Sequence, residues 1–298
     1  MQGQWYPRAT FAPVKPEAVA RAEDALGAAA ETWSQVASRG YALGDRWVID
    51  LRDGRSVFAK RAIDEPTADW LRAEQRVYAA VEAPFLPRLL GWEDGELPLL
   101  LLEDLSAEHW PPPWTPESIE AVLATLVDVA ATRPPAGLRR LADDPPATWD
   151  AVARDPEPFL RLGLRSASWL ERCLPVLLEA SRPTLLDGDA LLHFDVRSDN
   201  LCIRGGRAVL VDWNLACSGN AAFDIAFWLP SLTLEDGPEP SGLARDWPDV
   251  NALAGIVAGF FAARAGMPRP PGAPAVRAFQ FAQLEVALPW ATRVLELP

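Results

Sequence analysis

Cysteines and long apolar runs are scarce in this chain of 298 residues, and each scarcity excludes a class of protein. The 3 cysteines, Cys173, Cys202 and Cys217, have neither metal-ligand nor redox-pair spacing, so we expect reduced thiols in the core of a cytoplasmic protein. No apolar run reaches the roughly 18 residues of a membrane-spanning helix. Because the N-terminus also lacks the apolar segment of a secretion signal, the sequence predicts a soluble globular protein.

Lysine is scarcer still, since Lys15 and Lys60 are the only lysines among the 28 basic residues. Arginine and lysine differ in shape and hydrogen bonding. In a chain that uses arginine almost everywhere, the lysine at position 60 therefore indicates a site where an ammonium group matters. The net charge of −13 argues against a nucleic-acid partner, because phosphate backbones bind basic surfaces. Acidic residues outnumber basic ones on both sides of Leu105. This charge is compatible with a cationic substrate or with an acidic surface that favours solubility.

The stretch LLHFDVRSDNLCIRGGRAVLVDW, residues 191–213, carries the clearest pattern in the chain. Its Gly205-Gly206 pair lies between two apolar segments, which is typical of a β-hairpin because glycine tolerates the positive φ angles of a tight turn. In that register position 200 pairs with position 211. Asn200 and Asp212 are therefore predicted to lie side by side at the open end of the hairpin.

An amide oxygen and a carboxylate held together are hard oxygen ligands, which Mg²⁺ uses when it also binds waters and phosphates. Asp195 lies upstream on the same loop and can direct a third carboxylate toward whatever the metal holds. The alternative is that these side chains cap turns, which Asp and Asn also favour.

A second pattern contains Lys60. The turn at Arg52–Gly54 separates two strand-like runs and predicts a hairpin whose second strand carries Lys60. Thr67 is the predicted N-cap of the helix that follows, which should end near Glu82. These assignments place a lysine on a strand directly before a helix.

Glu74 falls within the predicted apolar stripe of that helix, between Trp70 and Tyr78. A carboxylate on a buried face is costly unless it is paired, and Lys60 is its natural partner. The alternative is a Glu74 that reaches solvent near Arg72 or Arg76.

Other stretches predict structure without chemistry. A helix is expected over residues 16–36, with Val19, Ala22, Leu26 and Trp33 on one side. A second helix should begin at Pro116 with Thr115 as its cap, and Pro289 should end or kink the last helix.

The order His193, Asp195, Asn200 and Asp212 matches the catalytic loop and metal-binding aspartate of protein kinases. With Asp212-Trp213 in place of Asp-Phe-Gly, the chain resembles the aminoglycoside phosphotransferase family of small-molecule kinases. The resemblance covers nearly the whole chain and implies an α+β, two-lobed protein-kinase-like fold. Residues 1–105 would form a small nucleotide-binding lobe with an antiparallel sheet, and residues 106–298 a mainly helical lobe for catalysis and acceptor binding.

The same resemblance implies an enzyme that uses ATP and Mg²⁺ to phosphorylate a hydroxyl of a small molecule, such as an aminoglycoside-like antibiotic, a sugar or an amino alcohol. Asp195 would orient the hydroxyl and accept its proton. Asn200 and Asp212 would hold Mg²⁺, and Lys60, paired with Glu74, would grip the phosphates.

Further contacts follow from the resemblance. Backbone groups of a hinge at Glu103 and Leu105, after the apolar run Leu97–Leu102, would bind adenine. The segment 38–45 would cover the triphosphate, although it has only Gly40 and Gly44 and no Gly-x-Gly-x-x-Gly motif.

Three residues near the base have other expected roles. His193 would brace the catalytic loop through its ring nitrogens. Arg197 either offsets charge on the transferring phosphoryl group or pairs with Asp199 or Asp187 and shapes the loop. Asp224, in an otherwise apolar segment, either braces the backbone of the catalytic loop or caps a helix.

Two other function classes stay open. His193-Phe194-Asp195 replaces the usual His-Gly-Asp of the family, so the alternative is a catalytically silent nucleotide-binding module. A metal-dependent hydrolase is the other class, but it would leave Lys60 and Glu74 unexplained. The predicted partner is a small hydroxylated acceptor, which the acidic charge allows to be a cation, with no nucleic acid or membrane.

Overall fold

The computed structural model describes residues 14–36, 44–270 and 273–298. They form two compact units. The first comprises the described residues up to Pro111 together with Asp199–Ala216, and the second comprises Pro112–Ser198 and the described part of Cys217–Pro298. In chain order the helices and strands are α1 (Glu17–Leu26), β1 (Ala30–Gln35), β2 (Asp45–Leu51), β3 (Ser56–Arg61), α2 (Glu65–Ala80), β4 (Leu89–Glu93), β5 (Leu99–Glu103), α3 (Pro116–Ala131), α4 (Trp149–Arg154), α5 (Glu157–Leu160), α6 (Ala167–Glu179), β6 (Ala190–Leu192), β7 (Leu201–Arg204), β8 (Arg207–Leu210), β9 (Cys217–Gly219), α7 (Phe223–Leu234), α8 (Pro240–Leu243), α9 (Pro248–Ala252), α10 (Ala254–Ala265) and α11 (Val276–Val294).

The first unit is built on an antiparallel sheet of five strands in the order β1-β2-β3-β5-β4. Strands β2 and β3 form the predicted hairpin, and Gly54 in its turn has a φ angle of 87°, a conformation that costs glycine little. Helix α1 packs its buried Ala18, Val19 and Ala22 onto one face of the sheet. Strand β3, which carries Lys60, therefore lies inside the sheet, between β2 and β5.

The helix predicted over residues 16–36 is wrong beyond Leu26. Gly27 adopts the left-handed conformation, with a φ angle of 63°, and its N–H bonds the carbonyl of Glu23. Such a glycine ends a helix because it satisfies the last carbonyl groups without steric cost. The next residues form the edge strand β1, where Thr32 and Trp33 pair with β2, in agreement with the strand preference of β-branched and aromatic residues.

The N-cap of helix α2 lies three residues before the predicted one. Asp64 is the N-cap, and Thr67 completes a capping box in which each side chain accepts a hydrogen bond from the other residue's backbone N–H. The predicted stripe is also partly wrong, because Trp70 is 42% exposed while Leu71 is buried. Glu74 is buried as predicted, at 1% exposure.

The Gly205-Gly206 hairpin has the predicted register. Strands β7 and β8 pair Leu201 with Leu210 and Arg204 with Arg207. Beyond the last strand pair, the N–H of Val211 donates to the carbonyl of Asn200 at 2.9 Å. The hairpin pairing therefore extends one residue pair further, to Asn200 and Val211, and Val211 directly precedes Asp212.

The second unit is mainly helical. Helix α3 begins at Pro116 with the predicted Thr115 cap, which forms a capping box with Ser118. Helices α7 and α10 are largely buried, and β6 and β9 form a short antiparallel pair. Helix α11 continues through Pro289 to Val294, so this proline does not end it. With the sheet of the first unit, the predicted α+β class is confirmed.

The three cysteines are buried and unpaired. Burial raises the pKa of the Cys202 thiol to about 12 and that of Cys217 to about 12, which disfavours the reactive thiolate. Among the helices of the described residues, none has the length and apolar character needed to cross a membrane.

Candidate active site

A buried ion pair joins β3 to α2. The ammonium nitrogen Nζ of Lys60 lies 2.5 Å from Oε2 of Glu74, and the two residues are 7% and 1% exposed. Lys60 also donates to the Oδ1 atom of Asp212. The predicted pairing of Lys60 with Glu74 is therefore present, and a second carboxylate shares the same ammonium group.

Tyr78 fixes the other oxygen of Glu74. Its hydroxyl lies one helical turn beyond Glu74 and donates to Oε1 at 2.9 Å. Burial, together with the charge of Glu74, raises the pKa of Tyr78 well above its usual value, so the phenol stays protonated and remains a donor. Hydrogen bonds thus run from Tyr78 through Glu74 to Lys60 and orient the ammonium group.

Asn200 and Asp212 lie at the open end of the β7–β8 hairpin. Asn200 is buried at 3% exposure, whereas the side chain of Asp212 is 33% exposed. Asp212 has a φ angle of 65°, a left-handed conformation that is uncommon outside glycine and tolerated best by Asp and Asn. The hairpin therefore ends in a buried amide and an accessible carboxylate that adjoins Lys60.

Glu103 and Leu105, the predicted hinge, lie at and just beyond the end of β5. The carboxylate of Glu103 accepts hydrogen bonds from Arg204 at 2.8 Å and from Arg88 at 3.0 Å. Burial raises the pKa of Glu103, but these hydrogen bonds outweigh it and leave that pKa below its usual value. The carbonyl of Leu105 accepts from the indole of Trp110. The side chain of Glu103 is thus committed to holding the segment in place.

The two glycines predicted to cover the triphosphate are Gly40 and Gly44. Gly44 precedes β2 with a φ angle of 124° and lines one pocket with Lys60, Glu74 and Asp212. Gly40 lies outside the described residues.

The predicted catalytic loop, up to Ser198, belongs to the second unit. His193 is fully buried, and its Nδ1 atom accepts a hydrogen bond from the backbone N–H of Asp195 at 3.3 Å. The carboxylate of Asp195 is 35% exposed and lies 3.1 Å from Nε of Arg197. Arg197 also stacks its guanidinium over Phe279 at 5.3 Å. The predicted base is thus one ion-pair partner of Arg197, whereas Asp187 pairs with Arg140.

Asp224 braces this loop from the start of α7. One carboxylate oxygen accepts the N–H of His193 at 2.6 Å and the other accepts the N–H of Phe194 at 2.9 Å. Burial raises the pKa of Asp224, and the nearby His193 and the two N–H groups oppose that effect. No side chain caps the N-terminus of α7. Asp224 therefore braces the backbone of the loop and does not cap the helix.

Phe194 occupies the position where the related motif has glycine, and it keeps a conformation that favours glycine. Its φ angle is 72°. The ring stacks on Phe223 with centroids 5.1 Å apart, and the Arg139 guanidinium lies 4.7 Å from its centroid. These contacts offset the backbone strain.

Glu235, at the other end of α7, holds the same loop and was not predicted. It accepts hydrogen bonds from the hydroxyl of Ser198 at 2.5 Å and from the indole of Trp114 at 2.9 Å. The sequence places Glu235 in an acidic segment that is typical of a solvated loop. No local pattern identifies its partners, which lie 37 and 121 residues away.

Arg46 was missed as well, although a signal for it exists. The turn at Arg52–Gly54 pairs position 51 with 55, and the same register places Arg46 opposite Lys60. The structure has that pair, and Arg46 lies 4.0 Å from the carboxylate of Asp212.

The predicted residues thus form two groups. Lys60, Glu74 and Asp212 are in contact within the first unit. Asn200 is hydrogen-bonded through its backbone to Val211, the residue before Asp212. His193, Asp195 and Arg197 are in contact within the second unit.

Comparison with known proteins gives a family and a fold. A model of the phosphotransferase enzyme family matches residues 16–269, and a search of curated proteins finds no match. Among solved structures, a spectinomycin phosphotransferase in complex with ADP and spectinomycin has a TM-score of 0.60 at 10% identity, over 96% of this chain and 100% of the other. The macrolide 2'-phosphotransferase of Brachybacterium faecium has a TM-score of 0.50 at 16% identity, over 94% and 97%. The choline kinase of Cryptosporidium parvum has a TM-score of 0.52 at 10% identity, over 89% and 88%.

Proposed function

Because the chain belongs to the phosphotransferase enzyme family, we propose that it transfers the γ-phosphoryl group of ATP to a hydroxyl group of a small molecule. The observation that carries this proposal is the buried Lys60–Glu74 pair with Asp212 on the same ammonium group. A structural pair needs only two charges. A third, accessible carboxylate on the lysine is the arrangement expected where phosphates and a metal displace part of the contact.

The donor set at the hairpin end fits Mg²⁺. Asn200 supplies an amide oxygen and Asp212 a carboxylate, both hard oxygen ligands of the kind that leaves room for waters and phosphates. When bound, Mg²⁺ neutralises charge on the phosphate oxygens. The accessible side chain of Asp212 and the backbone pairing beside Asn200 support this assignment.

Lys60 positions the phosphates in this proposal. Tyr78 and Glu74 fix its ammonium group in one orientation, so little side-chain entropy is lost when a phosphate oxygen binds. The main chain at Glu103 and Leu105 binds the adenine through groups other than the Leu105 carbonyl, which accepts from Trp110. Glu103 uses its side chain to hold that segment against Arg88 and Arg204.

Asp195 acts as the base. Its accessible carboxylate accepts the proton of the acceptor hydroxyl as the hydroxyl oxygen bonds to the γ-phosphorus and the bond to the ADP oxygen breaks. His193 and Asp224 fix the backbone on which Asp195 stands. Arg197, paired with Asp195, places a cation where the transferring phosphoryl group develops charge.

The acceptor is a small hydroxylated molecule in this proposal. The similar solved structures include enzymes named for spectinomycin, for macrolides and for choline, so their names do not select one acceptor. We therefore propose an alcohol acceptor and leave its scaffold to be determined by assay.

The decisive assay measures ATP consumption with and without a panel of aminoglycosides, macrolides, sugars and amino alcohols. Acceptor-dependent formation of ADP supports the proposal. Tight ATP binding without turnover on any acceptor would favour a silent nucleotide-binding module. ATP consumption at the same rate with and without acceptors would favour a hydrolase.

The metal assignment has its own test in Asp212→Asn. Loss of the charged ligand should abolish turnover and weaken the Mg²⁺ dependence of nucleotide binding, because the remaining amide oxygens hold the cation poorly. A Mg²⁺ titration of ATP binding that matches the wild type would remove Asp212 from the metal site.

A further inference from the structure

Arg46 and Lys60 form a directly opposed pair of cations. Strands β2 and β3 are antiparallel, and their register pairs Arg46 with Lys60. Side chains of directly opposed residues lie on the same face of a sheet, with Cβ atoms about 4.5–5.5 Å apart. Like charges at such positions destabilise the strand pair. An anion that binds both cations therefore stabilises this face.

Asp212 supplies that anion within the first unit. Lys60 donates to its Oδ1 atom, and Nη2 of Arg46 lies 4.0 Å from its Oδ2 atom. The second distance is too long for a hydrogen bond, so the contact is a loose ion pair. A guanidinium group carries five N–H donors in a planar fork. The Asp212 contact therefore leaves Arg46 able to turn its fork toward a better acceptor.

The position of Arg46 suits a phosphate ligand. Its side chain is 16% exposed and lines the same pocket as Gly44, Lys60, Glu74 and Asp212. It also follows directly on the glycine-poor segment 38–45, which offers few of the glycines that let a backbone approach phosphates closely. A charged side chain at the end of this segment can supply the missing interactions.

We propose that Arg46 is a second phosphate-binding cation of the nucleotide site, and that its guanidinium binds the β- or γ-phosphate of ATP. The inference rests on the proposed function. Guanidinium groups bind phosphate oxygens in a bidentate, charge-assisted geometry. Arg46 then exchanges its loose contact with Asp212 for phosphate, while Lys60 keeps its buried partner Glu74.

Three variants separate this role from others. Arg46→Met removes the cation, and Arg46→Lys keeps the charge and loses the planar fork. Arg55→Met is the matched control, because Arg55 lies beside the turn of the same hairpin, pairs with Asp53 at 2.6 Å and is 44% exposed. It removes the same net charge from the same strand pair. Melting temperatures identify any variant that fails to fold.

Isothermal titration calorimetry with ATP and with AMP, each in Mg²⁺ and in EDTA, gives the test. Arg46→Met should weaken ATP binding about tenfold or more, as expected for one lost charge-assisted contact, and should leave AMP binding within about twofold. Arg46→Lys should fall between Arg46→Met and the wild type, and Arg55→Met should match the wild type. The loss for ATP should persist in EDTA, because the contact is made to the phosphate itself.

Other outcomes would overturn the inference. Unchanged ATP binding in Arg46→Met would show that Arg46 does not bind the phosphates. An equal loss for AMP, or a loss that disappears in EDTA, would show that Arg46 acts through Asp212 or the fold. A wild-type protein that binds no nucleotide would overturn the proposed function together with this inference. Wild-type binding with no change in Arg46→Met would overturn this inference alone.

Discussion

Removing either partner of the Lys60–Glu74 pair should have unequal effects on stability. Lys60→Met leaves the carboxylate of Glu74 at 1% exposure with the Tyr78 hydroxyl as its hydrogen-bond donor. Breaking a buried ion pair in this way costs about 3–5 kcal/mol, since an uncompensated charge stays behind. Glu74→Gln leaves Lys60 with a second carboxylate, Asp212. We expect that variant to cost about 1.5–3 kcal/mol, the range of one hydrogen bond to a charged group.

Hydrogen exchange measured by mass spectrometry suits this prediction because it reports local stability. Peptides that cover β3 and α2 isolate the first unit from the rest of the chain, where a single melting temperature would mix the two units. Lys15→Met is the matched control. Lys15 is the other lysine, its side chain is 41% exposed, and its pairing with Glu23 is a surface contact, so its loss should change stability by less than about 1 kcal/mol.

The double variant Lys60→Met, Glu74→Gln completes the cycle. Its cost should fall below the sum of the single variants by about 1–3 kcal/mol, because the second substitution removes the charge that the first left unpaired. Equal costs for the two single variants, or an additive double variant, would refute the reasoning that Asp212 partly replaces Glu74.

Three further substitutions test the catalytic loop. Asp224→Asn should lower stability by about 1–3 kcal/mol, because an amide offers one acceptor oxygen to two backbone N–H groups; unchanged exchange protection at residues 190–196 would contradict this. Phe194→Gly should be more stable than Phe194→Ala by about 1 kcal/mol in thermal unfolding. Both variants lose the ring contacts, but only alanine is strained by the positive φ angle; a more stable alanine variant would contradict this. Arg197→Met should lower kcat roughly a hundredfold with little change in KM for ATP; a lower melting temperature with kcat and KM disturbed together would instead assign Arg197 to shaping the loop.

Local signals predicted much of the fold and some of the site. The predicted phosphotransferase family and the kinase-like α+β fold are confirmed by the family match and by the similar solved structures, and the prediction of a small-molecule kinase agrees with them. Two glycines were enough to set the register of the β7–β8 hairpin. Glu74 was identified because a carboxylate on a buried helix face requires a partner, even though Trp70, used to define that face, is exposed.

The errors have equally local causes. The helix predicted to reach residue 36 ends at Leu26 because Gly27 terminates it. The prediction was too long because it followed the spacing of apolar residues and did not treat Gly27 as a helix end. Thr67 was assigned as the cap because it favours that position, but Asp64 occupies it and Thr67 completes the capping box.

Long-range contacts explain what the sequence could not indicate. Glu235 meets Ser198 and Trp114 only through the packing of the second unit. The length of the turn is enough to pair Arg46 with Lys60. The contact of Arg46 with Asp212, however, joins residues 166 positions apart in sequence.

The His-Phe-Asp sequence of the loop bears on whether the protein is an active enzyme. A bulky residue in place of glycine suggests a disrupted loop if the backbone must change to accommodate it. Phe194 instead keeps a φ angle of 72°, the conformation that favours glycine, and Asp224 still binds its N–H. Phe223 and Arg139 hold the ring in place and offset the strain. The backbone that carries Asp195 therefore keeps its brace despite the substitution, so Phe194 gives no structural reason to regard the proposed base as disabled.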